Sequence, residues 1–223
     1  MGNMEVLKYN DVILRASYMD ALGSHCYLND QVIGVLFLAI CDEESRKDAV
    51  DHLKLGNKRL VLFAVNDSDE FGVGQSGSQW SILIFDRTKH SFLHLDTMQG
   101  ENHIPAFKLY DSVKQYVGVE SASIKEGAKN KKKNKNKKKA ANTAVASIEV
   151  SFKECEAPQQ TNGYDCGVYV MAIAKAVSDF CLSGKTDKEV DWLSFVVKNV
   201  DASIEETFRQ EIMRLIEDLR NSD

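Results

Sequence analysis

Apolar positions fall into two kinds of run along this chain, and the contrast between them predicts its elements. Short runs that read as strands occur at Arg59–Val65 (RLVLFAV), Trp80–Phe85 (WSILIF) and Ser91–Leu95 (SFLHL). Asp86–His90 separates the last two and predicts a tight turn, which makes those strands antiparallel. Residues 4–15 alternate weakly and suggest one or two short strands, and Ile148–Phe152 suggests another. Longer runs read as helices. Val32, Ile33, Val35, Leu36, Leu38 and Ile40 predict a buried helix capped at Asn29–Asp30. Ile104, Phe107, Val113, Tyr116 and Val117, with Pro105 near the start, predict a helix over 104–117. Val168, Tyr169, Val170, Met171, Ile173 and Val177 predict a buried helix over 165–181 that begins at Asp165 or a neighbour. Ser203–Ile204–Glu205–Glu206 matches a capping box, and the helix after it places Phe208, Ile212, Leu215 and Leu219 on one face. Residues 42–58 read as a charged connection, and residues 66–78, rich in Gly, Ser and Asp, as a surface loop. The order of elements predicts an α+β fold around an antiparallel sheet.

The 223 residues, 43% apolar and 27% charged, suit a single domain over 1–223 that buries its core without disulfides. No apolar run reaches the roughly 18 residues of a membrane span, and residues 1–10 lack the pattern of a secretory signal. Five cysteines without CxxC or zinc-type spacing predict free thiols, hence the cytoplasm or nucleus, and no metal or organic cofactor. The net charge of −5 is the sum of two opposed parts: residues 125–139 carry nine lysines and one glutamate, and subtracting that +8 leaves −13 for the rest. An acidic body argues against nucleic-acid binding by the fold itself and suits a partner with a basic face. Residues 121–146 (including KNKKKNKNKKKAANTAVA) are expected to be a disordered insertion, since like charges repel and no core former is present. A basic patch for nuclear import or nucleic-acid adhesion is the alternative for that segment.

Candidate chemistry concentrates in Gln159–Val170, QQTNGYDCGVYV. Cys166 sits where a polar loop meets a buried helix. A helix N-terminus stabilises a thiolate through its partial positive charge and its free N–H groups, and the same groups can hold an oxyanion. Gln160 offers a side-chain amide to that oxyanion, and Gly167 admits a close backbone approach by substrate. Taken alone, a cysteine at a helix start is more often a small buried residue than a nucleophile.

The segment resembles the nucleophile motif of the sentrin-specific proteases, cysteine proteases that act on ubiquitin-like modifiers. Gln160, Asn162, Asp165, Cys166 and Gly167 match the motif's glutamine followed by Asn-x-x-Asp-Cys-Gly. Three further segments are similar and in family order: Tyr27–Asp30 (YLND), Trp80–Leu83 (WSIL) and Phe92–Asp96 (FLHLD). The resemblance runs from about residue 5 to residue 182 and is closest to the deneddylase branch. It implies a papain-like cysteine protease fold, a central mostly antiparallel sheet packed against a buried nucleophile helix and flanking helices, acting as a monomer. It also implies that Cys166 is the nucleophile, Gln160 lines the oxyanion hole and Asp96 orients the base. Trp80 and Tyr27 would form a slot for a Gly-Gly tail, and Asp30 would contact a basic residue near that tail. The implied partner is a ubiquitin-like modifier and its conjugates, the neddylation modifier before SUMO or ubiquitin. Core packing for the two aromatics and a turn carboxylate for Asp96 are the plainer readings.

The most consequential departure from the family is at one position; Tyr27 in place of the usual tryptophan and the lysine-rich insertion are lesser ones. The catalytic histidine should precede the tryptophan of the second strand, and here that residue is Gln79. A glutamine amide cannot take and return a proton near neutral pH, although it can donate a hydrogen bond to Asp96. Three readings stand at this point: a thiol protease cleaving after Gly-Gly, a pseudoprotease that binds the modifier without cutting it, and a remodelled paralogue. His94, two residues before Asp96, is the nearest substitute base in sequence. His25, His52, His90 and His103 read as surface residues.

Overall fold

The computed structural model describes residues 4–9, 12–23, 25–34, 58–68, 77–117, 150–183 and 191–222. Residues 4–15 form a hairpin of β1 (Glu5–Tyr9) and β2 (Val12–Arg15). A helical turn α1 (Ala16–Met19) and a 3-10 turn (Asp20–Leu22) follow. A helix α2 then covers residues 30–34. Asn29 is its cap: its Oδ1 accepts the Val32 N–H at 2.9 Å. The expected continuation to Ile40, the 42–58 connection up to residue 57 and the lysine-rich insertion lie outside the described residues.

The sheet runs in the order β3 (Leu60–Asn66), β4 (Trp80–Asp86), β5 (Ser91–Leu95), β6 (Ser151–Cys155). The first three strands are antiparallel neighbours, with Ile82 paired to both Ala64 and Leu95. The expected turn after β4 is closed by Asp86, whose Oδ1 accepts the Thr88 N–H at 2.9 Å. Strand β6 (Ser151–Cys155) pairs parallel to β5, and residues 148 and 149 of the expected strand lie outside the described residues. A parallel neighbour needs a long crossover, and α3 (His103–Val117) is part of it.

Both faces of the sheet are covered, which is why β4 reads as an almost unbroken apolar run. Ile82, Ile84, Leu93 and Leu95 pack toward α4 (Cys166–Leu182), whose Val168–Ala174 stretch is buried throughout. Leu83, Phe85 and Phe92 pack on the other face against Ala106 and Tyr110 of α3. Phe92 packs at a tilt against Phe85, with ring centroids 4.9 Å apart, and edge-on at 5.3 Å against Tyr110. Each such buried aromatic contributes about 1.5–3 kcal/mol of transfer free energy.

Helix α5 (Trp192–Asn199) was not signalled by periodicity. It is short, and one tertiary bond anchors it: buried Trp192 donates Nε1–H to Asp86 Oδ2 at 2.8 Å. The last helix, α6 (Ile204–Ser222), buries Phe208, Ile212 and Ile216 against α4. Its expected capping box is not formed. The Ser203 hydroxyl and N–H both go to Asp201 Oδ1, at 2.6 and 2.9 Å, so the exchange with Glu206 is not made, while the neighbouring Glu205 carboxylate is used by another loop. Charged residues inside this helix do the same kind of tertiary work, as Arg209 shows below.

Candidate active site

Cys166 is the first residue of α4 and is fully buried. Its Sγ lies against the Ser78 carbonyl at 3.8 Å, so the thiol sits beneath the segment that leads into β4. Burial pushes the thiol above its ordinary range. The N–H groups of Trp80, Gly167 and Cys166 itself act in the opposite direction, and the Asp67 carboxylate adds to the upward push. The helix-start effect expected from the sequence is therefore present and is outweighed by desolvation. The carboxylate of Asp165, the residue before the thiol, is paired with Arg209. Its Oδ1 takes Arg209 Nε at 3.1 Å and Nη2 more closely, and its Oδ2 takes Asn162 Nδ2 at 2.7 Å.

Gly167 proves to be required by packing within the chain. A Cβ built there would stand 2.9 Å from Leu28 Cβ and 3.4 Å from Ile33 Cδ1. The close approach once assigned to substrate is the approach of α4 to the start of α2.

Strand β5 ends at the second candidate residue. Asp96 is buried, as is Gln79 just ahead of β4. Gln79 Nε2 donates to Asp96 Oδ1 at 3.2 Å. The Met98 N–H reaches the same oxygen at 3.0 Å, and the Asn102 N–H reaches Oδ2 at 2.7 Å. Position 79 is held from behind by Asp67, which the sequence reading passed over as one carboxylate in a polar loop. Asp67 Oδ1 accepts the Ser78 and Gln79 N–H groups at 2.7 and 3.0 Å, and Oδ2 accepts the Ser78 hydroxyl at 3.0 Å. This clamp fixes the Ser78 carbonyl over the thiol.

The loop before Cys166 is tied to the end of β5. Gln159 Nε2 donates to the Asp96 carbonyl at 3.0 Å, and the Gln160 N–H donates to the Thr97 carbonyl at 3.1 Å. Gln160 Oε1 accepts the Thr97 hydroxyl, and its Nε2 donates to the Asn162 carbonyl, both at 2.6 Å. A primary amide carries two N–H groups, so one remains for a ligand.

Glu205, on α6, is the other residue that sequence reading missed. Its carboxylate takes the Thr161 N–H at 2.7 Å, the Thr161 hydroxyl at 2.6 Å, the Tyr169 hydroxyl at 2.9 Å and Asn162 Nδ2 at 3.0 Å. Partial burial works to raise the Glu205 pKa, but these donors outweigh it and hold the carboxyl below its usual range. The Tyr169 phenol is pushed up by its burial and by Glu205.

Trp80 is half-buried, and its Nε1–H donates to the Leu28 carbonyl at 3.0 Å, so the indole meets the segment that carries Tyr27. Tyr27 is 51% exposed, and Asp30 is exposed beside it. His94 is placed where it cannot substitute for a base. Its ring is buried, with Nε2 2.9 Å from Ser81 Oγ and Nδ1 2.7 Å from Glu154 Oε2. Among the described residues, His25 meets Tyr164 and His103 meets Glu154; no histidine is hydrogen-bonded to Cys166 or Asp96. His52 lies outside the described residues.

Among the described residues, two clefts lie beside residues of the site, and Cys166 lines neither. One of about 800 Å³ includes Asp165, Tyr164, His25 and Arg209 in its walls. Another of about 590 Å³ includes Asp96, His103 and Gln159.

This geometry has counterparts. Residues 74–212 match the model of the Ulp1 protease family, C-terminal catalytic domain. The chain is 29% identical to NEDD8-specific protease 1 of Arabidopsis thaliana, over 98% of this chain and 97% of that protein. It is 27% identical to human Sentrin-specific protease 8, over 77% of this chain and 80% of that protein. Its fold matches the C-terminal Ulp1 protease domain solved in complex with Smt3, the yeast ortholog of SUMO. The TM-score there is 0.61 at 17% identity, covering 98% of this chain and 89% of that one. The family match takes in β4, β5, the loop before Cys166 and α4, and so the chain belongs to the Ulp1 family of cysteine proteases.

Proposed function

We propose that this protein is a deneddylase-type thiol protease in architecture that grips the C-terminal Gly-Gly tail of a ubiquitin-like modifier, NEDD8 before SUMO or ubiquitin. With Gln79 in the position of the base, cleavage is slowed so far that binding becomes its main activity. The observation that carries this reading is the Gln79 Nε2 to Asp96 Oδ1 hydrogen bond of 3.2 Å. Asp96 is engaged as it would be by an imidazole, but by a group that cannot accept a proton. The preference for NEDD8 is supported by the names of the relatives that the chain matches, NEDD8-specific protease 1 and Sentrin-specific protease 8.

In this reading Cys166 is the nucleophile, and attack by its sulfur on the tail's terminal carbonyl produces an oxyanion. That oxyanion is met by the N–H groups at the start of α4 and by the free N–H of Gln160. Trp80 and Tyr27 border the slot for the two glycines, and Asp30 meets a basic residue upstream of them. Two proton transfers lack a carrier: removal of the thiol proton, which burial opposes, and protonation of the leaving amine. Loss of the base from comparable triads lowers turnover by several powers of ten. Entry of the tail also requires the Ser78 carbonyl to move off Sγ. The protein is expected to work as a monomer in the cytoplasm or nucleus.

A second reading, an active protease, is favoured by the three N–H groups near Sγ that still pull toward thiolate. The test is to measure binding of unmodified NEDD8, SUMO and ubiquitin by calorimetry, then to follow Cys166 labelling by each modifier bearing a C-terminal electrophile. The expected result is NEDD8 binding with labelling slow over hours. Rapid labelling would replace this reading with the active protease. Absence of binding to all three would overturn both.

A further inference from the structure

We propose that Asn102 is the positioning residue for Asp96: its buried side chain holds in place the main-chain N–H that fixes which carboxylate oxygen faces position 79. The inference rests on the reading of Asp96 and residue 79 as the site's working pair, and it adds a residue that the sequence motif does not contain.

Asn102 sits immediately before α3, in the N-cap position, and its carbonyl accepts the Ala106 N–H at 3.1 Å. An asparagine there ordinarily spends its side-chain oxygen on an N–H of the first turn. Here the third helical residue is Pro105, which has no N–H, and Asn102 Oδ1 is buried with no partner. Capping is therefore not what this amide does. Its Nδ2 is turned into the sheet, toward Ser81 Oγ at 2.9 Å, the Val65 carbonyl at 3.2 Å and the Gln79 carbonyl at 3.5 Å. Two facing carbonyls require the nitrogen on that side, so the amide orientation is determined by its surroundings. Asn102 is completely buried, and its own N–H is the 2.7 Å donor to Asp96 Oδ2. One residue thus holds the ends of β3 and β4 with its side chain and Asp96 with its main chain. With Oδ2 fixed, Oδ1 is left pointing at Gln79.

The same chain of contacts explains the buried histidine that plays no part in the proposed reaction. Ser81 Oγ, which accepts from Asn102, also lies 2.9 Å from His94 Nε2. His94 Nδ1 in turn meets Glu154. The Ser81 hydroxyl can accept from Asn102 Nδ2 and donate to His94 Nε2, with His94 Nδ1–H turned to Glu154. His94 thereby supports Asn102 from behind rather than serving the thiol.

The experiment has two arms. In the native chain, the Gln79 side-chain amide signals are followed by NMR, assigned through their loss in Gln79→His. Asn102→Ala is expected to shift them toward the values of a free glutamine amide; unmoved signals would overturn the proposal, whatever the protein does to modifiers. In the Gln79→His background, labelling of Cys166 by NEDD8 with a C-terminal propargyl amide is measured against concentration. Adding Asn102→Ala is expected to lower the maximal rate on the order of 10- to 100-fold, the scale of an ångström of misplacement, at an unchanged half-saturating concentration. An equal maximal rate would overturn the proposal, as would a change confined to half-saturation. If Asn102→Ala fails to fold, Ser81→Ala removes one of the amide's anchors and should move both readouts in the same direction by a smaller amount; no movement would count against it. A Gln79→His protein that does not label at all would overturn the functional reading and leave the NMR arm to decide this one.

Discussion

Substituting Gln79→His should convert a binding site into a working protease, and the size of the gain can be worked from the site. An ordinary thiol of pKa about 8.5 is roughly 3% thiolate at pH 7, and burial places Cys166 below that fraction. A histidine here brings an imidazole. Its Nδ1–H can replace the Gln79 Nε2–H that now donates to Asp96 Oδ1 at 3.2 Å, leaving Nε2 free to face the sulfur. The thiol lies against the carbonyl of the preceding residue, Ser78, so position 79 begins next to it. A well-placed base contributes about 10²- to 10⁴-fold, and pairing a thiolate with an imidazolium removes part of the burial penalty as well. Release of a fluorophore from the C-terminus of NEDD8 should accelerate by that range, and a Gln79→His/Cys166→Ala protein should release none. The reasoning fails if Gln79→His binds NEDD8 as the native chain does yet cleaves no faster. It fails equally if the native chain is already within about tenfold of the variant, since a base would then be acting from elsewhere.

Three further outcomes test how the site is held. Gly167→Ala places a Cβ 2.9 Å from Leu28 Cβ and should cost about 1–3 kcal/mol of overpacking, read by urea unfolding; a neutral result would show that α2 gives way freely. Arg209→Met strands the buried Asp165 carboxylate, also removes donors to the Ala21 and Cys26 carbonyls, and should cost about 3–5 kcal/mol; a loss under about 1 kcal/mol would mean the pair is not the anchor of the loop. Glu205 has a folded pKa below its unfolded value, so its contribution is present above the ordinary carboxylate pKa of about 4.3 and fades as pH falls through the lower, folded value. Glu205→Gln should therefore lower Tm clearly at pH 7 and much less at pH 3, and an equal loss at both would refute the charged role.

Periodicity and local chemistry were enough to place most elements of this chain. The apolar runs at β3, β4 and β5 and along α4 are long enough, and bounded by clear enough polar turns, that their local pattern has one reading. Asn29 caps α2 as its residue type suggests, because a cap is satisfied within a few residues. The motif around Cys166 likewise identified the family from residues that are contiguous. The parallel pairing of β6 and the helix α5 were not legible, since each is set by a distant partner: β5 for the strand and Asp86 for Trp192. The capping box at Ser203 fails to a nearer competitor, Asp201, which takes both its hydroxyl and its N–H.

The same division runs through the site. Sequence alone determined which side chains are present, and hence that position 79 carries an amide, which cannot act as a base. Whether the helix start activates the thiol was decided only in three dimensions, because desolvation depends on everything packed around the sulfur, and here it exceeds the pull of the nearby N–H groups. The tertiary structure also decided that Gly167 serves packing, that Asp165 is neutralised by Arg209, that His94 faces away from the thiol, and that Asp67 and Asn102 fix the pair at 79 and 96. These are contacts between residues far apart in the chain, and no local pattern of hydrophobic and polar positions records which distant groups will meet.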